Sequence, residues 1–278
     1  MTHPTRWLTA LLAALIPSAA MAQGVIVAPH AVYIDHATRA GSITLFNPGD
    51  QPVEVSVSFG FGYPTTDSAG AVSLELTDDA PQGQPGATAW LQAFPRRATV
   101  APHERQTVRV LATPPTGLPD GEYWARLIVG AKGGQIAVAG VTDTAAVKVG
   151  LSLEVRTVIA VVYRKGALTT GLTLDHISAT YADDSVGVRV PLTRTGTGAY
   201  LGTVRASVVD ARGEVKGEEQ LPVAVYYALD PRLPVPVGTL APGTYKVRVS
   251  VSTERTDLPP KVPLPAPPVR DSVEITVR

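Results

Sequence analysis

The sequence contains no cysteine. That excludes thiol nucleophiles, cysteine-based zinc sites and redox motifs together, and it leaves each domain to be held by apolar burial without a disulfide. Aromatic residues are scarce at 6 %, so the cores must rest on Val, Leu, Ile and Ala within a hydrophobic share of 45 %. An excess of either charge is also missing, since 24 Lys and Arg balance 24 Asp and Glu. A neutral chain has no long-range attraction for nucleic acid or for an anionic membrane surface, and neither is expected as a partner. Histidines number five. His3 sits in the N-terminal segment, and His30, His36, His103 and His176 offer no i, i+4 pair for a metal. His30 and His36 would share one face of an unbroken strand about 20 Å apart, too far for one ion. No Gly-x-Ser-x-Gly elbow or phosphate-cradling glycine loop is present. Asp78-Asp79 and Asp183-Asp184 lack calcium-loop spacing and read as solvated turn residues. The chain is therefore expected to be no enzyme and to carry no metal and no cofactor.

Long apolar runs are missing too. The N-terminal run from Leu8 to Ile16, after Arg6, is shorter than the ~20 residues a membrane-spanning helix needs. With the small-x-small pattern of Ala20, Met21 and Ala22 it reads instead as a cleavable signal peptide over residues 1–22, leaving Gln23 first in the mature chain. Val155 to Tyr163 is apolar but short and β-branched. The mature protein is expected in the periplasm or beyond, with no membrane span and, lacking a following cysteine, no lipid tether.

What is present is strand pattern. Val53, Val55, Val57, Phe59 and Phe61 alternate with Glu54, Ser56, Ser58 and Gly60, the period of two of a half-buried strand. Ile43 and Leu45 alternate just before the turn cluster Asn47-Pro48-Gly49-Asp50, which predicts an antiparallel hairpin. Thr107 to Leu111 predicts another strand after the turn Ala101 to Glu104, and Thr77 to Thr88 reads as a surface loop. At 278 residues the chain exceeds one sandwich of roughly 100 residues and suits two plus an export signal.

An internal repeat gives the same count. Leu118, Gly121, Tyr123, Arg126 and Val129 recur at identical offsets as Leu240, Gly243, Tyr245, Arg248 and Val251. A Tyr just after a Gly turn, entering a penultimate strand, is the pattern of a tyrosine corner, in which the hydroxyl caps the preceding turn of an immunoglobulin-like sandwich. The expected fold is all-β, two immunoglobulin-like β-sandwich domains in tandem over residues 23–163 and 164–278. In the second domain Val186 to Leu192, Gly202 to Val209 and Gly243 to Ser252 read as strands. The proline-dense stretch Leu258 to Pro268 cannot be a central strand and reads as a polyproline-II loop before a last strand, Ser272 to Val277.

The stretch Ala145 to Tyr163 carries the functional reading. Val147, Val149, Leu151, Leu153 and Val155 alternate with Lys148, Gly150, Ser152, Glu154 and Arg156, predicting a strand on the order of 60 Å long, more than one sandwich face requires. Its apolar face either packs into its own domain or lies partly at an open edge, available to a partner that lacks a strand.

The chain here resembles the periplasmic chaperones of pilus and fimbria assembly, the PapD-like family of two-domain immunoglobulin-like proteins, as a divergent member. The matching pieces are Val27 to Tyr33, Ile43 to Asp50, Val100 to Arg109, Leu118 to Trp124 and Val162 to Arg164. The resemblance implies a chaperone that donates an edge strand to a pilus or fimbrial subunit (donor-strand complementation), with Val149, Leu151, Leu153 and Val155 as the donated face. It implies an outer-membrane usher as a further partner, and a free apolar edge invites capping by a second copy. Arg164 falls on the family's junction arginine and Glu122 on its acidic partner. Two positions depart. The family holds the subunit's C-terminal carboxylate with an Arg on the first strand and a Lys on the linking strand, where this chain has His30 and Ala160. Arg156 shares the face of Ala160 but lies roughly 13 Å along the strand. The rival reading is an extracellular or envelope structural or adhesive module with no folding client.

Overall fold

The computed structural model describes residues 24–133, 136–137, 150–151 and 153–278. The expected signal peptide and Val149 lie outside the described residues. In chain order the strands of the first domain begin with β1 (Ile26–Ala28), β2 (Ala31–Asp35), β3 (Ala40–Phe46), β4 (Val53–Gly60), β5 (Pro64–Thr66) and β6 (Val72–Leu74). There follow β7 (Leu91–Phe94), β8 (Arg97–Val100), β9 (Arg105–Ala112), β10 (Gly121–Lys132), β11 (Ile136–Ala137), β12 (Gly150–Leu151) and β13 (Glu154–Lys165). One sheet has the order β1-β3-β9-β7 and faces another of order β2-β13-β10-β4-β8. The alternating apolar residues meet between them: Ile43 and Leu45, Val53 to Val57, Val108 and Val110, Leu127 and Val129, and Ile159 and Val161 form one buried cluster.

Ile43 to Phe61 does not form the expected hairpin. β3 and β4 lie in different sheets, so the turn at Asn47 is an arch across the sandwich. Asn47 ties that arch from inside: its Nδ2 donates to the carbonyls of Gln51 (2.8 Å) and Val100 (3.0 Å), and its Oδ1 accepts from the Gly49 amide (3.0 Å). His30 and His36 do not share one strand either. The chain changes sheet between β1, antiparallel to β3, and β2, parallel to β13, with His30 in the break. His36 follows β2, where its Nδ1 hydrogen-bonds the Tyr163 hydroxyl.

The second domain comprises β14 (Thr170–Leu174), β15 (Ser178–Ala182), β16 (Ser185–Arg189), β17 (Leu192–Gly196), β18 (Tyr200–Val209), β19 (Val215–Val225), β20 (Ala228–Leu229), β21 (Arg232–Pro236), β22 (Gly243–Ser252) and β23 (Val269–Val277). Its sheets have the orders β19-β18-β22-β23, β14-β17-β20 and β15-β16-β21 around a separate core of mostly valine and leucine. The expected strand from Val186 to Leu192 is split, because β16 and β17 pair in different sheets. Asp183-Asp184 is the two-residue turn joining β15 to β16, both residues at positive φ, a conformation Asp tolerates. The last strand starts at Val269, earlier than Ser272.

Both repeat tyrosines build the same corner. Tyr123 donates its hydroxyl to the Pro119 carbonyl at 2.9 Å, and Tyr245 donates to the Ala241 carbonyl at 2.9 Å, each four residues back. The chain is thus two immunoglobulin-like sandwiches in tandem, and no described helix is long and apolar enough to cross a membrane.

Candidate functional site

The period of two along β13 sends Val155, Thr157, Ile159, Val161 and Tyr163 to the inner face and Glu154, Arg156, Val158, Ala160, Val162 and Arg164 to the outer. β13 pairs antiparallel with β10 over its whole length, from Glu154↔Lys132 to Lys165↔Gly121. Its other edge is covered only in part, since β2 pairs with residues Ala160 to Arg164. From Glu154 to Ile159 no strand among the described residues takes that edge.

The two halves of the strand therefore differ. In the covered half, the inner residues Val161 and Tyr163 lie in the core of the first domain, as does Ile159 one residue beyond it, while the outer residues Ala160 and Val162 pack against the second. In the open half, Val155 is 37 % exposed and Leu153, just before the strand, 46 % exposed. Gly24 lies beside Val155 without a side chain to cover it. Leaving such side chains and their strand edge in water is unfavourable unless a partner covers them. Of the run expected from Ala145, residues 145–149 and Ser152 lie outside the described residues, and Leu153 is the last residue before β13. Leu151 belongs to β12, which pairs with β11 as Ile136↔Leu151 and Ala137↔Gly150.

On the outer face Arg156 is exposed. Its Nε donates to Glu154 Oε1 at 3.1 Å, and Lys132 Nζ stands 4.0 Å from Glu154 Oε2. His30 is exposed in the break before β2, next to Ala31, which pairs with Ala160 four residues along β13 from Arg156, and no hydrogen bond joins His30 to Arg156 among the described residues. The cation opposite Ala160 is Arg126 on β10, which the sequence had marked only as a repeat position. It is buried, donates Nε to the Gly62 carbonyl at 2.7 Å, and lies over the Tyr226 ring at 5.3 Å.

At the other end of β13 lies the domain junction. Glu122 is 2 % exposed and accepts three bonds: from Arg164 Nε at 2.9 Å, from Trp124 Nε1 at 2.8 Å, and from the Ala199 amide of the second domain at 2.9 Å. Arg164 also donates Nη1 to the Val262 carbonyl at 2.8 Å and covers the Tyr33 ring at 5.1 Å. The proline-dense loop thus reaches back to close this charge pair. Around it Phe61, Trp124, Val162, Ala199 and Tyr226 form a third buried cluster, with Tyr63 stacked on Tyr226 at 6.0 Å. Burial pushes the Tyr33 and Tyr226 hydroxyls well above the usual phenol range. Sequence reasoning missed this aromatic junction. Among the described residues no cluster of three or more His, Asp or Glu side chains is placed to hold a metal ion.

No family model and no curated protein matches the chain. Among solved structures it is similar to the YadV chaperone, at 15 % identity and a TM-score of 0.44, covering 90 % of this chain and 99 % of that one. It is similar to the Pseudomonas aeruginosa CupB2 chaperone at 12 % identity and a TM-score of 0.43, covering 91 % and 100 %. A further likeness is to the Salmonella enterica SafA pilin–SafB chaperone complex, at 14 % identity and a TM-score of 0.39, covering 90 % and 96 %.

Proposed function

We propose that the protein is a periplasmic chaperone for pilus or fimbrial-type subunits, which it binds by donating the open half of β13 as an edge strand. The observation that supports this reading is the mismatch along one strand. Its apolar inner face runs on in register past the last buried residue, Ile159, to Val155 and Leu153, and its edge loses its partner at the same level. A subunit lacking a strand gains backbone hydrogen bonds from that edge and fills its own gap with the alternate side chains. Binding of this kind needs no covalent chemistry and no cofactor. In this reading Val149 and Leu151 extend the donated face, and the Glu122–Arg164 pair holds the two domains at the angle that frames the client. The buried Arg126 and the exposed His30 and Arg156 make a different surrounding from the family's two-cation clamp, so the client is held mainly through the strand. An outer-membrane usher is the natural recipient of the loaded subunit, and a second copy is the natural cap when no client is present.

The test is Leu153→Glu in the tagged mature protein, used as bait in periplasmic extract with mass spectrometry of what co-purifies. The exposed position predicts a stability change within about 0.5 kcal/mol, with loss of a small β-rich pilus-type subunit. Capture of the same subunit by the folded variant at the parent's level would overturn the reading. A clean monomer from both proteins would favour a structural module.

A further inference from the structure

A second unpaired strand edge lies on the other side of the first domain. β5 and β6 form a hairpin with the register Pro64↔Leu74, Thr65↔Ser73 and Thr66↔Val72. Its pairing continues to the end of β4, where the Phe61 amide donates to the Thr77 carbonyl at 2.7 Å and the Thr77 amide to the Phe61 carbonyl at 2.9 Å. Gly62 makes that approach possible, because a Cβ there would stand 2.3 Å from the Glu75 carbonyl oxygen. The tip is tied to the second domain. Arg189 Nη1 donates to the Ser68 carbonyl at 2.9 Å, the Arg232 amide to the Gly70 carbonyl at 2.9 Å, and the Asp230 amide to Thr66 Oγ1 at 3.0 Å. The hairpin is a strut between domains.

Along this strut Val72, Leu74 and Leu76 alternate with Ser73, Glu75 and Thr77, which puts three apolar side chains on one face. They are 47 %, 37 % and 42 % exposed. Among the described residues β6 has no strand on its other edge. The opposite face and the following turn carry Glu75, Asp78 and Asp79, with no Lys or Arg from Ala71 to Asp79. None of these three carboxylates enters an ion pair among the described residues.

We propose that the edge of β6 is a docking surface for an extended partner segment in which apolar and basic residues alternate. Added as a third strand, such a segment makes main-chain hydrogen bonds to β6. The same alternation lays its apolar side chains beside Val72, Leu74 and Leu76 and its cations beside Glu75, with Asp78 and Asp79 adjoining. An acidic strand would set like charges against Glu75. The surface is separate from the open half of β13: the hairpin leaves the end of β4, and in the sheet order β4 and β13 lie on opposite sides of β10. Both edges can be occupied together.

The test is fluorescence anisotropy of the mature chain with a labelled synthetic peptide of alternating lysine and valine. Peptides of alternating glutamate and valine, and of alternating lysine and serine, serve as comparators. Saturable binding of the lysine–valine peptide alone is expected. It should weaken about tenfold or more in Leu74→Glu and in Glu75→Lys, and persist in Leu153→Glu. Superimposable melting curves establish that the variants are folded, and Glu75→Lys, a change at an exposed residue, carries the test if Leu74→Glu does not fold. The proposal fails if no saturable binding occurs, if the lysine–serine peptide binds equally, or if Leu153→Glu abolishes binding. It also fails if sedimentation shows that Leu74→Glu only converts a dimer to a monomer, which would make the stripe a contact between copies.

Discussion

β10 and β22 carry the same repeat and end up in different surroundings. Their inner faces match: Tyr123, Ala125, Leu127 and Val129 enter one core as Tyr245, Val247, Val249 and Val251 enter the other, each strand opening on a tyrosine corner. Their outer faces do not. Glu122, Trp124 and Arg126 are buried under the second domain, whereas the corresponding Thr244, Lys246 and Arg248 lie in water. Lys246 and Arg248 line an open trough with Arg205 and Arg270. A repeated strand therefore fixes which residues enter its own sandwich, and the neighbour that covers its other face decides what a polar residue there must do. A buried carboxylate needs every bond it has, while an exposed threonine needs none.

The sharpest way to break this comparison is Glu122→Ala against Thr244→Ala. The first strips Arg164, Trp124 and the Ala199 amide of their acceptor and is expected to cost about 3–5 kcal/mol, with the half-buried Arg164 left without a carboxylate partner. The second should stay within about 0.5 kcal/mol. Equal losses in denaturant unfolding would mean that the junction does not distinguish the two strands. Tyr123→Phe and Tyr245→Phe probe the half of the comparison that is alike. Each removes one hydroxyl-to-carbonyl bond, and both should lower stability by about 1 kcal/mol. A large difference between them would show that the corners are not equivalent.

The smallest effect, nil at neutral pH, is alkaline. Burial raises the Tyr33 and Tyr226 hydroxyls at the junction, and burial raises the Tyr200 hydroxyl in the second core to about 12. A phenol in the unfolded chain ionises near 10. Below that pH the neutral buried form contributes its full stability. As pH rises above it, towards the folded values, the unfolded state binds fewer protons and stability falls. Melting temperature should drop from about pH 10 upward, and part of the tyrosine absorbance should titrate only as the protein unfolds. Free titration of all nine tyrosines in the folded protein would contradict the burial at both places.

Much of the site's setting was legible along the chain. The recurrence of Leu118 to Val129 pointed to two corners because a tyrosine corner is a local device, closed within four residues. The alternation ending at Leu153 and Val155 pointed to one apolar face. It did not say where that face stops being covered, because this depends on where β2 begins to pair, at Ala160. The arch at Asn47 reads as a hairpin from sequence for the same reason: a turn reverses the chain whether the next strand joins the same sheet or the facing one. The junction residues were hidden differently. Trp124 and Arg126 occupy positions that period two assigns to solvent, and Tyr63 and Tyr226 lie just beyond the ends of strands β4 and β19. The stripe of Val72, Leu74 and Leu76 gives little signal in sequence because it runs into acidic, turn-rich residues.

By itself, the sequence determined the class of fold, the number of sandwiches and the inward face of each main strand, because side-chain alternation and turn chemistry act between neighbours in the chain. The tertiary structure alone decided which sheet each strand joins, which outward faces the second domain covers, and which edges stay open. Those outcomes depend on contacts between residues far apart in sequence, such as Glu122 with Ala199 and Ser68 with Arg189, and no local period encodes them.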